Sequence, residues 1–193
     1  MLTKRGGKHL RDDEQTLIFD ATPLIYFAKI GKLENVLRTC RAFIAEEVYG
    51  EVAGSDMYAD ALVIRDMVEA GILNIYKVVD AAAVETLMRH PEIHRGEAET
   101  LVAARELTGS AVIDDGGARA VAKLYGFRVV PGTLFLLFRM LRLGLIDAGE
   151  AEMMLNELVS CGLYLDARTL VRAEERLREH RLGQPLNSYD ERA

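Results

Sequence analysis

Thr16-Leu17-Ile18-Phe19-Asp20 decides the reading of the fold. Three large apolar residues run together without alternation and stop on an acid. The run is too short for a helix, so it predicts a strand covered on both faces. Thr22-Pro23 follows, a capping side chain and a proline suited to a first helical turn. Leu24, Ile25, Phe27 and Ala28 continue that helix and Gly31 ends it.

The same strand-then-helix unit recurs outward from this point. A short helix is expected at 33–37, a second strand at Arg41–Ala45 and a helix at 46–52. A helical period covers 57–70 and stops at Gly71. A third strand is expected at 72–79, and a helix at 81–89 ends before Pro91. The stretch 96–107 reads as a strong helix closed by Gly109. Residues 111–113 form a short apolar strand that runs into Asp114-Asp115. A helix at 118–124, a strand at 127–130 and helices at 132–143, 148–159 and 167–180 complete the pattern. Short strands alternating with helices predict an α/β fold, a three-layer α/β/α sandwich around a central parallel sheet. One domain over residues 16–181 is expected, with tails at 1–15 and 183–193.

Bulk properties narrow the function. The chain has 193 residues, 50% apolar and 28% charged, which suits a single globular domain. Its net charge of −6 argues against a surface coated for nonspecific nucleic-acid binding, though a local basic rim around an acidic centre stays compatible with it. The longest apolar candidate span, 129–145, is broken by Pro131, Gly132, Arg139, Arg142 and Gly144, so no membrane crossing is expected. Residues 1–13 lack the apolar stretch of a secretory signal. Cys40 and Cys161 form no CxxC pair and read as thiols of a reducing cytoplasm.

Chemistry concentrates on acids. Asp20 and the Asp114-Asp115 pair close two strands, and in a parallel sheet those ends share one edge, where such folds bind ligands. Carboxylates gathered there repel one another, and a hard cation such as Mg²⁺ or Mn²⁺ relieves the repulsion. Gly96-Glu97-Ala98-Glu99 opens a helix. Acids are favoured there by the helix dipole alone. Two positions apart, Glu97 and Glu99 point to different faces, so only one is expected to face a metal. Glu46, Glu47 and Glu51 follow the second strand and by themselves read as a solvated face. The four histidines are scattered, and no HExxH, P-loop or GxGxxG motif is present.

Asp20-Ala21-Thr22-Pro23-Leu24-Ile25 resembles the opening motif of PIN domains. Gly96-Glu97-Ala98-Glu99 with Leu101-Val102-Ala103-Ala104 resembles their third acidic motif. AVIDDGGAR, from Ala111 to Arg119, resembles the fourth, followed by a helix and a Gly-Phe-Arg-Val-Val strand. Together the motifs are similar to the VapC-related prokaryotic branch over residues 17–146, and the helical segment to Arg181, with Cys161-Gly162-Leu163-Tyr164-Leu165, is similar to it as well. The resemblance implies a ribonuclease using Mg²⁺ or Mn²⁺. It implies Asp20 as the first metal ligand, Thr22 as a nearby hydrogen bonder and Glu51 as the second acid. Glu99 takes the third position when Leu101 to Ala104 are aligned, with Glu97 flanking it; another register exchanges them. Asp114 and Asp115 share the fourth position. Ala21 departs from the hydroxyl residue of many relatives.

Arg95, Arg119 and Lys123 are candidates for holding flanking phosphates of RNA. The resemblance also implies a homodimer and a small antitoxin partner, as in a toxin–antitoxin pair. The rival readings are a PIN-like module that binds RNA or protein without cutting, and an acidic phosphatase-like domain.

Overall fold

The structure, a computed structural model, describes residues 15–54 and 57–184. The expected tails fall almost wholly outside them. Five strands carry the order expected from sequence: β1 (Thr16–Phe19), β2 (Arg41–Ala45), β3 (Leu73–Tyr76), β4 (Ser110–Ile113) and β5 (Val129–Pro131). They form one parallel sheet in the order β3-β2-β1-β4-β5.

Helices fill the connections: α1 (Ala21–Lys29), α2 (Leu33–Leu37), α3 (Glu46–Ala53), α4 (Ala59–Glu69), α5 (Ala81–Leu87), α6 (Arg95–Glu106), α7 (Gly116–Leu124), α8 (Gly132–Arg142), α9 (Ala148–Ser160) and α10 (Ala167–Arg181). Alternate residues of the strands feed two cores. Leu17, Phe19, Ile44 and Val112 pack with α1, α3, α4, α8, α9 and α10. Ile18, Ala111 and Ile113 pack with α5, α6 and α7 on the opposite face. The expected three layers therefore form, and β1, covered on both faces, needs its unbroken apolar run. No described helix is long and apolar enough to cross a membrane.

The fourth strand gains Ser110, and the third and fifth differ more from expectation, for traceable reasons. The third strand is shorter than 72–79 because both its ends serve neighbouring helices. The Ile72 amide donates to Met67 O at 2.9 Å to close α4, and the Val79 and Asp80 amides donate to the Glu106 carboxylate. The fifth strand starts at Val129 rather than 127, because Gly126 turns at φ +71° and the Phe127 amide donates to Ala122 O, finishing α7. Pro131 is tolerated because β5 is an edge strand.

The chain leaves β1 toward β2 and β3, then returns past it to β4 and β5. The strand order thus reverses between β1 and β4, and the crevice at their carboxyl ends is where such sheets place ligands.

Candidate metal and active site

Asp20 and Asp114 stand on the two sides of that crevice. Pairing of β1 with β4 continues one residue past the strand, where the Asp20 amide donates to Val112 O at 3.1 Å. Asp20 is only 8% exposed. Burial pushes its carboxyl from an ordinary 3.8 up to about 7, and negative charge on Glu97, Glu51 and Asp114 adds to the effect. A hydrogen bond from the Ala21 amide offsets part of it.

Asp114 is also raised, chiefly by burial. Thr133 works against that shift: its amide donates to Oδ1 at 2.9 Å and its hydroxyl to Oδ2 at 2.6 Å. Gly132, at φ +34°, makes room for this clamp, since a Cβ there would lie 2.0 Å from Asp114 Oδ1. Asp115 caps α7, accepting from the Ala118 amide at 2.7 Å, and its charge acts on Glu97.

Glu51 reaches the same region from α3. Both its carboxylate oxygens lie 3.3 Å from where a Cβ on Gly96 would sit, so the glycine at the start of α6 lets the acid pack against the helix. Its carboxyl is raised, first by burial and then by Glu47 and Glu99, with His94 acting in the opposite direction.

The two glutamates of the α6 turn separate as their spacing requires. Glu97 accepts from the His94 amide at 2.8 Å, and its carboxyl is raised by burial and by the charges of Asp115 and Glu51. It acts electrostatically on Asp20. Glu99 instead accepts from the Glu47 amide at 3.3 Å and stands 4.0 Å from Arg95. With Glu46, Glu47, Gly50 and Glu51 it lines an adjoining acidic cleft of about 450 Å³.

The side chains weighed as phosphate contacts have other partners. Arg119 turns back and donates to the carbonyls of Ile113 and Asp114. Arg95 pairs with Glu85 at 2.8 Å. Lys123 lies in the last turn of α7, away from the end that Asp115 caps. Thr22 sits half-buried in the first turn of α1.

Gly132, Thr133, His94 and Glu92 were not singled out from the sequence. Glu92 lies beside Asp115, its Oε2 2.7 Å from the Cβ position of Gly117. A glycine and a hydroxyl residue opening the helix after a short strand were the available signal for Gly132 and Thr133. Nothing in the spacing marked Glu92 or His94.

Asp20 thus feels Glu51, Glu97 and Asp114 from three other parts of the fold. The donor set of these four is all oxygen, and burial is the first cause of every raised carboxyl, with neighbouring negative charge adding at Asp20, Glu51 and Glu97; buried oxygen donors of this kind suit a hard divalent cation. Among the described residues, no three His, Cys, Asp or Glu side chains stand close enough to share one ion. Asp114 and Glu97 are held by hydrogen bonds of their own, so binding a cation requires side-chain adjustment.

A family model described as DUF3368, PIN domain, matches residues 16–179 and so spans the whole sheet and the helices through most of α10. No curated protein and no solved structure matches the chain. With the parallel sheet, the acidic crevice and this match across most of its length, the chain belongs to the PIN domain family.

Proposed function

We propose that this PIN domain is a ribonuclease that uses Mg²⁺ or Mn²⁺ held by Asp20, Asp114, Glu51 and Glu97. One observation carries the reading: Asp20 is buried at the strand-order reversal, and three further carboxylates act on it from β4, α3 and α6. Placing four acids there costs stability unless something positive is bound. A bound divalent ion lowers the pKa of a coordinated water and offsets charge on a phosphate.

The protein's own part is to hold the acids. Thr133 fixes both oxygens of Asp114, and the start of α6 backs Glu51 and Glu97. RNA as substrate is supported by the motif resemblance, as is a toxin role with an antitoxin partner and a dimer.

The decisive measurement is cleavage of labelled single-stranded RNA with Mn²⁺, with EDTA, and with Asp20→Asn. Cleavage lost in the last two supports the reading; cleavage that persists in EDTA overturns it. The separation of the carboxylates favours a second reading, a PIN-like module that binds without cutting. Intact protein inactive at millimolar Mn²⁺ but still binding RNA supports that alternative.

A further inference from the structure

The Thr100 side chain is fully buried, and its hydroxyl has no hydrogen-bond partner among the described residues. Native proteins rarely bury a hydroxyl unpaired, and such a group marks a missing water, ion or ligand contact. Its place gives the orphan a meaning. Thr100 is in α6, which packs against β1, β2 and β4 of the sheet and against α3 and α5. At about 100° per residue it projects between Gly96 and Glu97, about 40° from the first and 60° from the second, one turn (about 6 Å) deeper along the axis.

Those two residues face the acids. The Gly96 Cβ position is 3.3 Å from both Glu51 oxygens, and the Glu97 charge acts on Asp20 and Glu51. An unused donor therefore sits on the face of α6 that turns toward the carboxylate cluster. Asp20, nine-tenths buried at the end of β1, is the most buried acid of the cluster, and α6 packs against β1. Its compensating contact is an amide of its own helix, that of Ala21.

We propose that Thr100 is a positioning residue for the cluster, donating its Oγ1 hydrogen to the buried carboxylate of Asp20, directly or through one internal water, when a divalent cation is bound. The inference rests on the metal-dependent reading above. It explains why a threonine occupies a helix position otherwise surrounded by Ala98, Leu101, Ala103 and Ala104.

The test is Mn²⁺ titration by calorimetry on wild type, Thr100→Val and Thr100→Ser, with the metal-free Tm of each as the folding control. Valine keeps the shape and removes the donor. The expected result is Mn²⁺ affinity about tenfold weaker in Thr100→Val, near wild type in Thr100→Ser, with the metal-free Tm of the valine variant unchanged or higher. Equal Mn²⁺ affinity in wild type and Thr100→Val overturns the inference and leaves the parent reading standing. Wild-type protein that binds no Mn²⁺ overturns both.

Discussion

Thr133 occupies both oxygens of Asp114: the amide donates to one at 2.9 Å and the hydroxyl to the other at 2.6 Å. A residue at the start of α8 thereby fixes the orientation of an acid at the end of β4, nineteen positions earlier in the chain. The two lie on neighbouring strand–helix junctions because β4 pairs with β5.

Removing half of that clamp is informative. Thr133→Val keeps the amide and loses the hydroxyl. Without the donor, the Asp114 carboxyl rises further. We expect RNA cleavage to fall 10- to 100-fold and stability to drop about 1 kcal/mol. A pH–rate profile displaced to higher pH in the variant checks the cause; an unchanged rate would show that Asp114 does not need to be held.

Gly132→Ala is expected to be worse. The new Cβ would meet the Asp114 carboxylate at 2.0 Å, on a backbone at φ +34°. A loss of about 2 kcal/mol is anticipated from the clash, with cleavage abolished. Gly31→Ala supplies the control. Its φ is +64° and nothing lies within 4 Å of its Cβ position, so it reports backbone handedness alone. If both variants lose equal stability and both remain active, the contact with Asp114 is unimportant.

Stability of the metal-free protein should fall as pH rises from about 4 to 7. In that window folded Asp20, with its carboxyl at about 7, keeps a proton that the unfolded chain, near 3.8, has released. The stabilisation is complete below the lower value and lost on passing the upper, at most about 4 kcal/mol. Asp114, Glu51 and Glu97 shift in the same direction. Chemical denaturation at a series of pH values reads the slope. Asp20→Asn should flatten it and stabilise the protein at pH 8, and Mn²⁺ should do the same for wild type. A flat wild-type profile without metal contradicts the account.

Glu97→Gln and Glu99→Gln should separate cleanly. Glu97 acts on Asp20, while Glu99 contacts Glu47 and Arg95 and acts only on Glu51 among the four acids. The first change should cost at least tenfold in cleavage, because glutamine retains the oxygen that accepts from the His94 amide but removes the charge. The second should leave the rate within a few-fold of wild type. The reverse ranking, measured on the same RNA, assigns the third acid to Glu99.

The frame was legible because its signals are local. The unbroken apolar runs at β1 and β4, each ending on an acid, carried the strands, their shared edge and the place of the crevice. The choice within Glu97 and Glu99 was not legible. A two-residue spacing says that they diverge; only the packing of α6 against α3 says which way each one goes. Arg119 reads as a phosphate contact from its place near that edge, and its Nη1 donates to the carbonyls of Ile113 and Asp114 at the end of β4. Thr133 and Gly132 escaped notice because their importance comes from β5 lying beside β4, a relation that no short window of sequence contains.

The Tyr26 hydroxyl donates to Gly162 O at 2.7 Å, tying α1 to the turn after α9, while Leu155, Leu158, Leu163 and Leu177 complete the core beneath β1. The layer supporting Asp20 is therefore finished by residues made after all four acids of the crevice. During synthesis the chain passes through a period in which Asp20, Glu51, Glu97 and Asp114 have all been made but the platform beneath β1 has not closed.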